Sequence, residues 1–148
     1  MHPDLDLKQL VDGAADAIIV CDAAGAIVLW NRSAERIFGF TPAEAIGQSL
    51  DLIIPQRQRE RHWQGYHKTM ATAVTRYGAE VLRVPALHKD GRALSIAFTV
   101  SMLFSNDRDR KVTAIVAIVR DETVRFAELR DLRKRLAELE SGHAGSTR

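Results

Sequence analysis

Two groups of strand-like segments, separated by helical sequence, restrict this chain of 148 residues to a small set of folds. The first group is a pair of short apolar runs joined by a turn that contains Gly25, and the second is three runs joined by polar turns. The runs cover residues 17–22, 26–31, 79–87, 93–104 and 112–119. Strands joined by short turns predict an antiparallel sheet. The helices between the second and third strands would cover one face and enclose a space for a ligand.

The residue types within the runs indicate where each strand lies. Residues 93–104 alternate, with Ile96, Phe98, Val100 and Met102 on one face of the strand. Residues 112–119 are apolar on both faces, which is typical of a central strand. Pro85 lacks an N–H group, so residues 79–87 are predicted to form an edge strand or a bulge. The fold class is therefore α+β.

Capping signals and helical periodicity predict the helices. Residues 7–14 carry apolar side chains at helical spacing and stop near Gly13. Thr41 and Glu44 form a capping box with Pro42 at the first helical position. A longer helix is predicted over residues 57–73, and the pattern becomes helical again from Thr123.

The composition excludes several classes of protein. Its hydrophobic content of 46% and net charge of +2 are ordinary for a globular domain and give no electrostatic footprint for nucleic acid. The single cysteine, Cys21, lies in an apolar run, which indicates a buried thiol and excludes an internal disulfide. No run approaches the ~20 apolar residues of a membrane helix. We expect a cytoplasmic protein that binds neither membrane nor nucleic acid and, without an apparent nucleophile or acid–base pair, is not an enzyme.

The helix over residues 57–73 carries the candidate residues for any chemistry of this chain. Trp63, Tyr66, Met70 and Val74 share one apolar face of a helical wheel. His62 and His67 lie at opposite margins of that face, and spacing alone does not choose between them. The alternative interpretation is that the aromatic residues are ordinary core and both histidines are structural.

Several short motifs, in order, resemble the PAS family of sensory domains. They are Asp16-Ala17-Ile18-Ile19-Val20, Asp22-Ala23-Ala24-Gly25, Trp30-Asn31, Ala34-Glu35, Phe38-Gly39-Phe40, Glu44-Ala45-Ile46-Gly47, Lys89-Asp90-Gly91 and Arg120-Asp121-Glu122-Thr123. The resemblance covers roughly residues 7–125. It implies a five-stranded antiparallel sheet of order 2-1-5-4-3 with helices on one face, and that order makes the strand with Pro85 an edge.

Within that family, the helix most resembles the branch that binds haem and senses oxygen. The resemblance implies that His62 is the proximal ligand of a b-type haem, with His67 as the alternative. It places Lys68 and Arg76 near the propionates and Leu82, with Arg83 beside it, where that branch has a distal arginine. The other implied cofactor-site residues are Tyr66, Tyr77, Phe98 and Val100, together with Met102 as a possible sixth ligand.

Two rival functions stay open from the sequence. The domain could be a cofactor-free module for dimerisation or protein docking, with its pocket filled by its own side chains. It could also bind another small ligand or a flavin. Flavin photochemistry is disfavoured because Cys21 lies on the first strand and not on the helix where light-sensing members of the family keep their cysteine.

The terminal helix is the predicted output element. Leu129, Leu132, Leu136 and Leu139 are spaced 3, 4 and 3 residues apart, which is typical of a coiled-coil seam and predicts a homodimer. A separate signalling protein could receive the output. We predict a tail at residues 1–6, the PAS domain at 7–122, the helix at 123–140 and a disordered tail at 141–148. The start at Met1 and the polar tail favour a complete chain.

Overall fold

A computed structural model describes residues 2–75 and 79–145, and of Ala144 and Gly145 only the backbone. The five strands are β1 (Ala17–Asp22), β2 (Ile27–Trp30), β3 (Leu82–Leu87), β4 (Ala93–Phe104) and β5 (Val112–Asp121). The α-helices are α1 (Leu7–Gly13), α2 (Arg32–Phe38), α3 (Pro42–Ala45), α4 (Gln56–Thr72) and α5 (Thr123–Gly145). A turn of 3₁₀ helix covers Leu50–Ile53.

The strands form one antiparallel sheet of order β2-β1-β5-β4-β3, which confirms the predicted fold and the edge position of Pro85. Alternation along the strands separates two faces. The inner face carries Ile19 of β1, Ile96 of β4 and Val119 of β5, and it packs with the helices into one core. The apolar character of β5 on both faces follows from its central position between β1 and β4.

The side chain of Asn31 connects the first helices and the first strand of the domain by hydrogen bonds. Its side chain is 1% exposed. Its Oδ1 accepts hydrogen bonds from the backbone N–H groups of Ile18 at 2.9 Å and Ala34 at 3.0 Å. Its amide donates to the carbonyl groups of Val11 at 2.8 Å and Asp16 at 3.1 Å. One buried side chain therefore links α1, the beginning of β1 and the first turn of α2.

The capping box at α3 is present as predicted. Thr41 Oγ1 accepts from the N–H of Glu44 at 3.2 Å, and the carboxylate of Glu44 accepts from the N–H of Thr41 at 3.0 Å. Lys89 Nζ reaches the same carboxylate at 2.6 Å. The hydrogen bond from Lys89, followed by the one from the Thr41 backbone, lowers the pKa of Glu44 to about 2. The turn between β3 and β4 is thereby tied to α3.

One side chain near the end of α4 and the end of α5 differ from the prediction. Helix α4 ends at Thr72 because Ala73 adopts a left-handed conformation with φ of 55°, and Val74 is therefore exposed outside the helical face that we assigned to it. Helix α5 continues to Gly145, although we predicted a disordered tail from residue 141. The segment after Glu140 contains no proline, and each of its two glycines within α5, Gly142 and Gly145, costs a helix only about 1 kcal/mol.

Helix α5 has 23 residues, but charged side chains recur along it. Neither α5 nor any other helix within the described ranges has the apolar stretch that a membrane crossing requires.

Candidate functional site

Helix α4 rests on the domain through few side chains. Of its 17 residues only Tyr66 is classed as buried, while Trp63 and Met70 are partly buried against the core. No side chain caps its start after Pro55. The long Arg59 side chain instead donates from Nε to the carbonyl of Ile54 at 2.9 Å, which ties the first turn to the preceding segment. The position of α4 therefore depends on the two aromatic residues at its centre.

Trp63 places α4 on the turn between β1 and β2. Its indole Nε1–H donates to Asp51 Oδ1 at 2.7 Å. Its six-membered ring lies so close to Gly25 that a Cβ atom there would be 2.3 Å from the nearest ring carbon. Gly25 also has a φ of +84°, so this glycine is required both by its backbone conformation and by the space that the indole occupies.

Tyr66 is the second anchor, one turn further along α4. It is 7% exposed, and its hydroxyl donates to the backbone carbonyl of Asp22 at the end of β1. Burial is the main cause that raises the pKa of the phenol, and the nearby Cys21 and Asp22 add to the effect. The phenol therefore stays protonated and acts as a hydrogen-bond donor to the sheet.

His62 lies beside both Trp63 and Tyr66, and one of its ring nitrogens lacks a hydrogen-bond partner among the described residues. Its Nδ1 is buried and has no hydrogen-bond partner among the described residues. The ring packs edge-on against Trp63, with centroids 4.6 Å apart, and lies 5.9 Å from Tyr66. Burial lowers the pKa of His62, outweighing the opposite effect of Asp51. The imidazole is therefore neutral at pH 7, which is the form that can bind a metal.

His67 has a different environment. Its ring centroid is 6.1 Å from that of Trp63, but the residue is exposed. A buried, unpartnered nitrogen thus distinguishes His62 from His67, a distinction that helical spacing could not make. Among the described residues, no group of three His, Cys, Asp or Glu side chains could hold a metal ion.

The inner face of β4 carries three of the predicted site residues. Phe98, Val100 and Met102 share this face, are half-buried and pack against the core. Leu82 on β3 pairs with Phe98 and so belongs to the same face. These four residues lie where the resemblance implies the distal side of a cofactor, and their role stays a prediction.

The remaining predicted residues divide into two groups. Lys68 is exposed on α4, where its side chain is free to meet a carboxylate at the domain surface. Arg76 and Tyr77 lie outside the described residues. Neither group tests the assignment of a propionate site.

Arg83 does not take the place of the distal arginine. It pairs with Ala97 on the sheet face opposite to Leu82. Its Nε lies 3.5 Å from the carboxylate of Glu122, directly before α5. The position that the resemblance aligns with a distal arginine is therefore occupied by an apolar side chain, and the neighbouring guanidinium lies beside the start of α5.

A cavity of about 440 Å³ lies at the hairpin between β4 and β5. It is lined by Met102, Leu103, Phe104, Ser105, Asn106, Asp107 and Arg110. Met102 is the one predicted site residue in its wall, and His62 does not contribute to it. This cavity is therefore distinct from the region beneath α4.

Sequence reasoning missed Asp51, Asp22 and Gly25 as neighbours of α4. Asp22 and Gly25 were identifiable as turn residues, and Asp51 follows an apolar segment without any recognisable motif. Only the docking of α4 on that turn makes them part of the site.

Residues 5–122 match the family model described as PAS fold, which covers well over half of the chain. The chain belongs to the PAS family. The PAS domain of a protein from Colwellia psychrerythraea superposes with a TM-score of 0.67 at 26% identity, covering 79% of this chain and 97% of that one.

Two longer proteins are similar to this PAS domain in sequence. An uncharacterised protein of Azorhizobium caulinodans is 34% identical over 128 residues, which are 86% of this chain and 17% of that protein. The sensor protein FixL of Bradyrhizobium diazoefficiens is 41% identical over 56 residues, 38% of this chain and 11% of FixL. The chain thus spans less than a fifth of the length of either relative.

Proposed function

We propose that this PAS domain is a cytoplasmic, non-catalytic sensory module that binds b-type haem through His62 and signals through α5. The sensed input would be oxygen, another gas or the redox state. The observation that carries the proposal is the buried Nδ1 of His62, which has no partner among the described residues. A buried polar atom without a partner costs about 1–3 kcal/mol, so a bound group that satisfied the imidazole would recover that free energy.

The candidate site residues fit haem in part. A neutral imidazole is a standard axial ligand of iron, and the half-buried Phe98, Val100 and Met102 provide an apolar wall. When bound, haem supplies an iron centre for gas or electron binding. Leu82 cannot donate a hydrogen bond to a bound gas, so this domain would stabilise polar bound oxygen less than a site with an arginine there.

The identity in the FixL match supports a sensory role of the same general kind, because FixL is described as a sensor protein. That match covers 38% of this chain, so the support extends to this part of the domain and not to the whole protein.

A second candidate function is a cofactor-free docking or dimerisation domain. It is favoured by Tyr66, which fills the space between α4 and β1 and bonds to Asp22. A cofactor that entered this space would have to displace the phenol or lie beside it. Another small ligand or a flavin would face the same requirement.

Titration with hemin separates these candidates. We expect a Soret band that is retained in His67→Ala and lost in His62→Ala, with circular dichroism showing that both variants are folded. His67→Ala is a matched control because it removes an exposed imidazole from the same helix. Loss of the band only in His67→Ala would contradict the assignment to His62. The absence of a band in the unsubstituted protein would reject haem and favour the docking function.

The junction between β5 and α5 supports α5 as the output element. Asp121 Oδ1 accepts from the N–H of Thr123 at 2.9 Å, and the Thr123 hydroxyl accepts from the N–H of Ser95 at 3.1 Å. The N–H of Glu122 donates to the carbonyl of Ser95 at 2.8 Å. Helix α5 is therefore fastened to β4 and β5, and a displacement of these strands would be transmitted to it. We propose a homodimer through α5, with a separate signalling protein as a further partner.

A further inference from the structure

The second half of strand β4 has an edge that no described strand covers. Strand β3 pairs with β4 only as far as Leu82, which lies opposite Phe98, whereas β4 continues for six more residues to Phe104. On its other side, β4 pairs with β5 along this whole stretch. Within the described part of the chain, residues 99–104 therefore have a strand on one side only. Their other side is called the open edge of β4 below.

The alternation of hydrogen bonds along β4 shows which backbone groups point to the open edge. At the turn between β3 and β4, the N–H of His88 donates to the carbonyl of Arg92 at 3.0 Å. Because bonded pairs recur at every second residue of an antiparallel ladder, the even-numbered residues of β4 direct their backbone groups towards β3. Continued along the strand, this alternation directs the N–H and C=O groups of Val100, Met102 and Phe104 to the open edge.

Odd-numbered positions confirm the alternation from the β5 side. The carbonyl of Ser95 accepts from the N–H of Glu122 at 2.8 Å, and the N–H of Ser105 donates to the carbonyl of Lys111 at 2.8 Å. The even-numbered groups at the open edge have no backbone partner among the described residues. A row of unpaired N–H and C=O groups is a template on which an extended peptide can add as a further strand.

The cavity of about 440 Å³ at the β4–β5 hairpin adjoins the end of this edge. Met102, Leu103 and Phe104 form its β4 wall, and residues 105–107 together with Arg110 complete it. A volume of this size lies in the range of ligand sites. The cavity can therefore receive a side chain of a peptide whose backbone pairs with the open edge.

Arg110 gives this cavity a positive charge that has no acidic partner among the described residues. Its guanidinium lies over the ring of Phe104, 5.4 Å from the ring centroid. The nearby carboxylate of Asp107 is already engaged within the loop. Its Oδ1 accepts from the Ser105 hydroxyl at 2.8 Å and from the N–H groups of Asp109 at 3.1 Å and Arg110 at 3.2 Å. The guanidinium is thus available to a carboxylate from outside the loop.

We propose that the open edge of β4 binds an extended segment of a partner protein as an added strand, with an acidic side chain of that segment on Arg110. A second copy of the chain fits less well, because residues 99–104 contain no carboxylate to offer to Arg110. In an antiparallel pair of two such edges, the hairpins lie at opposite ends, which separates Asp107 and Asp109 of one copy from Arg110 of the other. This site is separate from the proposed haem site and does not depend on it.

Amide hydrogen exchange of the full chain, measured by NMR with a probe peptide, tests the proposal. The probe is a capped peptide of sequence Glu-Val-Thr-Val-Thr-Val-Glu, whose β-branched residues favour a strand and whose two acids serve either strand direction. In the free protein, the amides of Met102 and Phe104 should exchange faster than those of Thr99 and Ser101, which point to β5. At ten times its dissociation constant, the probe should slow exchange at Met102 and Phe104 about tenfold, because only the free edge exchanges.

Two controls test the charge contact and the strand pairing separately. Arg110→Glu should weaken binding of the probe about threefold to tenfold, because it replaces an attractive contact by a repulsive one. Arg108→Glu is the matched variant on the same loop, outside the cavity wall, and should change binding by less than about twofold. A probe with N-methyl groups on alternate residues should bind about tenfold more weakly, since it cannot donate hydrogen bonds to the edge.

The proposal would be overturned by any of three results with the probe. These are unchanged exchange at millimolar probe, equal weakening by the two arginine variants, and full binding of the N-methylated probe. Slow exchange at Met102 in the dilute free protein would also overturn it, because the edge would then be paired within the chain. Exchange at Met102 that is slow in concentrated protein and accelerates on dilution would assign the edge to a second copy instead.

Discussion

Replacing Gly25 by alanine tests whether Trp63 seats α4 on the β1–β2 turn. Two effects oppose the substitution. The φ of +84° is unfavourable for alanine by roughly 1–2 kcal/mol. The new Cβ would also lie 2.3 and 2.4 Å from two carbons of the Trp63 ring, and relieving such overpacking costs about 1–3 kcal/mol. We therefore expect Gly25→Ala to lower the free energy of unfolding by about 2–5 kcal/mol.

Gly47→Ala is the matched control for the backbone effect. Gly47 has a φ of +90°, but a Cβ there would have no neighbour within 4 Å. Its loss should be only the roughly 1–2 kcal/mol of the left-handed conformation. Equilibrium urea unfolding of both variants measures the difference, which is the contribution of the indole overlap.

A Trp63→Ala background completes the experiment. Without the indole, Gly25→Ala should cost no more than Gly47→Ala, because only the backbone penalty is left. Equal losses for the two glycine variants in the unsubstituted protein would refute the contact between Trp63 and the turn. The proposed positioning of His62 beside that indole would then fail with it.

Three further predictions concern single groups. Tyr66→Phe should lower the free energy of unfolding by about 1 kcal/mol, since it removes only the hydrogen bond to Asp22. Asn31→Ala should lower it by about 3 kcal/mol or more, since it removes four hydrogen bonds. Urea unfolding measures both losses, and equal losses would contradict the reasoning. The His62 pKa is lowered on folding, so the protein should lose stability as the pH falls below 6.5, where only the unfolded imidazole gains a proton. His62→Phe should make the free energy of unfolding depend less steeply on pH in this range. Burial raises the pKa of Cys21 to about 12, so a thiol reagent at pH 8 should react only after unfolding, and rapid native labelling would contradict that burial.

The fold was predictable because its signals are local and consistent. Pro85 marked the edge strand, the apolar run of β5 marked the centre, and Thr41 with Glu44 marked a helix start. Each depends on residues close in sequence, where periodicity and capping are informative. The end of α5 was less predictable, since the small and polar residues after Glu140 carry no apolar periodicity although the helix continues to Gly145.

The surroundings of the site could not be predicted, because they depend on how α4 docks. The helical wheel placed His62 and His67 symmetrically, but in the folded domain the Nδ1 atom of His62 is buried whereas His67 is exposed. Likewise, Asp51 became a partner of Trp63 through packing between segments distant in sequence. Alternation could have shown that Leu82 and Arg83 face opposite ways, although not that Arg83 reaches Glu122.

A marginally stable dimer would allow a small change in free energy at α5 to shift the balance between monomer and dimer. Burying a leucine fully stabilises by about 1.5–3 kcal/mol, so eight roughly half-exposed seam leucines from two copies contribute about 8 kcal/mol. Association costs about 4–15 kcal/mol in lost freedom, so the two terms are of the same order. In such a balance about 1.4 kcal/mol changes the dissociation constant tenfold.

Glu122 lies where such a change could be applied. It pairs with Arg83 from the edge strand at 3.5 Å and with Arg125 of α5 at 4.0 Å. Exposed pairs of this kind contribute about 0.2–1 kcal/mol each, and a symmetric dimer contains two copies of each. Separating Arg83 from Glu122 in both copies would remove about 0.4–2 kcal/mol, which limits its effect on dimerisation to roughly twofold to thirtyfold at most. A longer leucine seam would hold the dimer permanently and would be insensitive to so small a change.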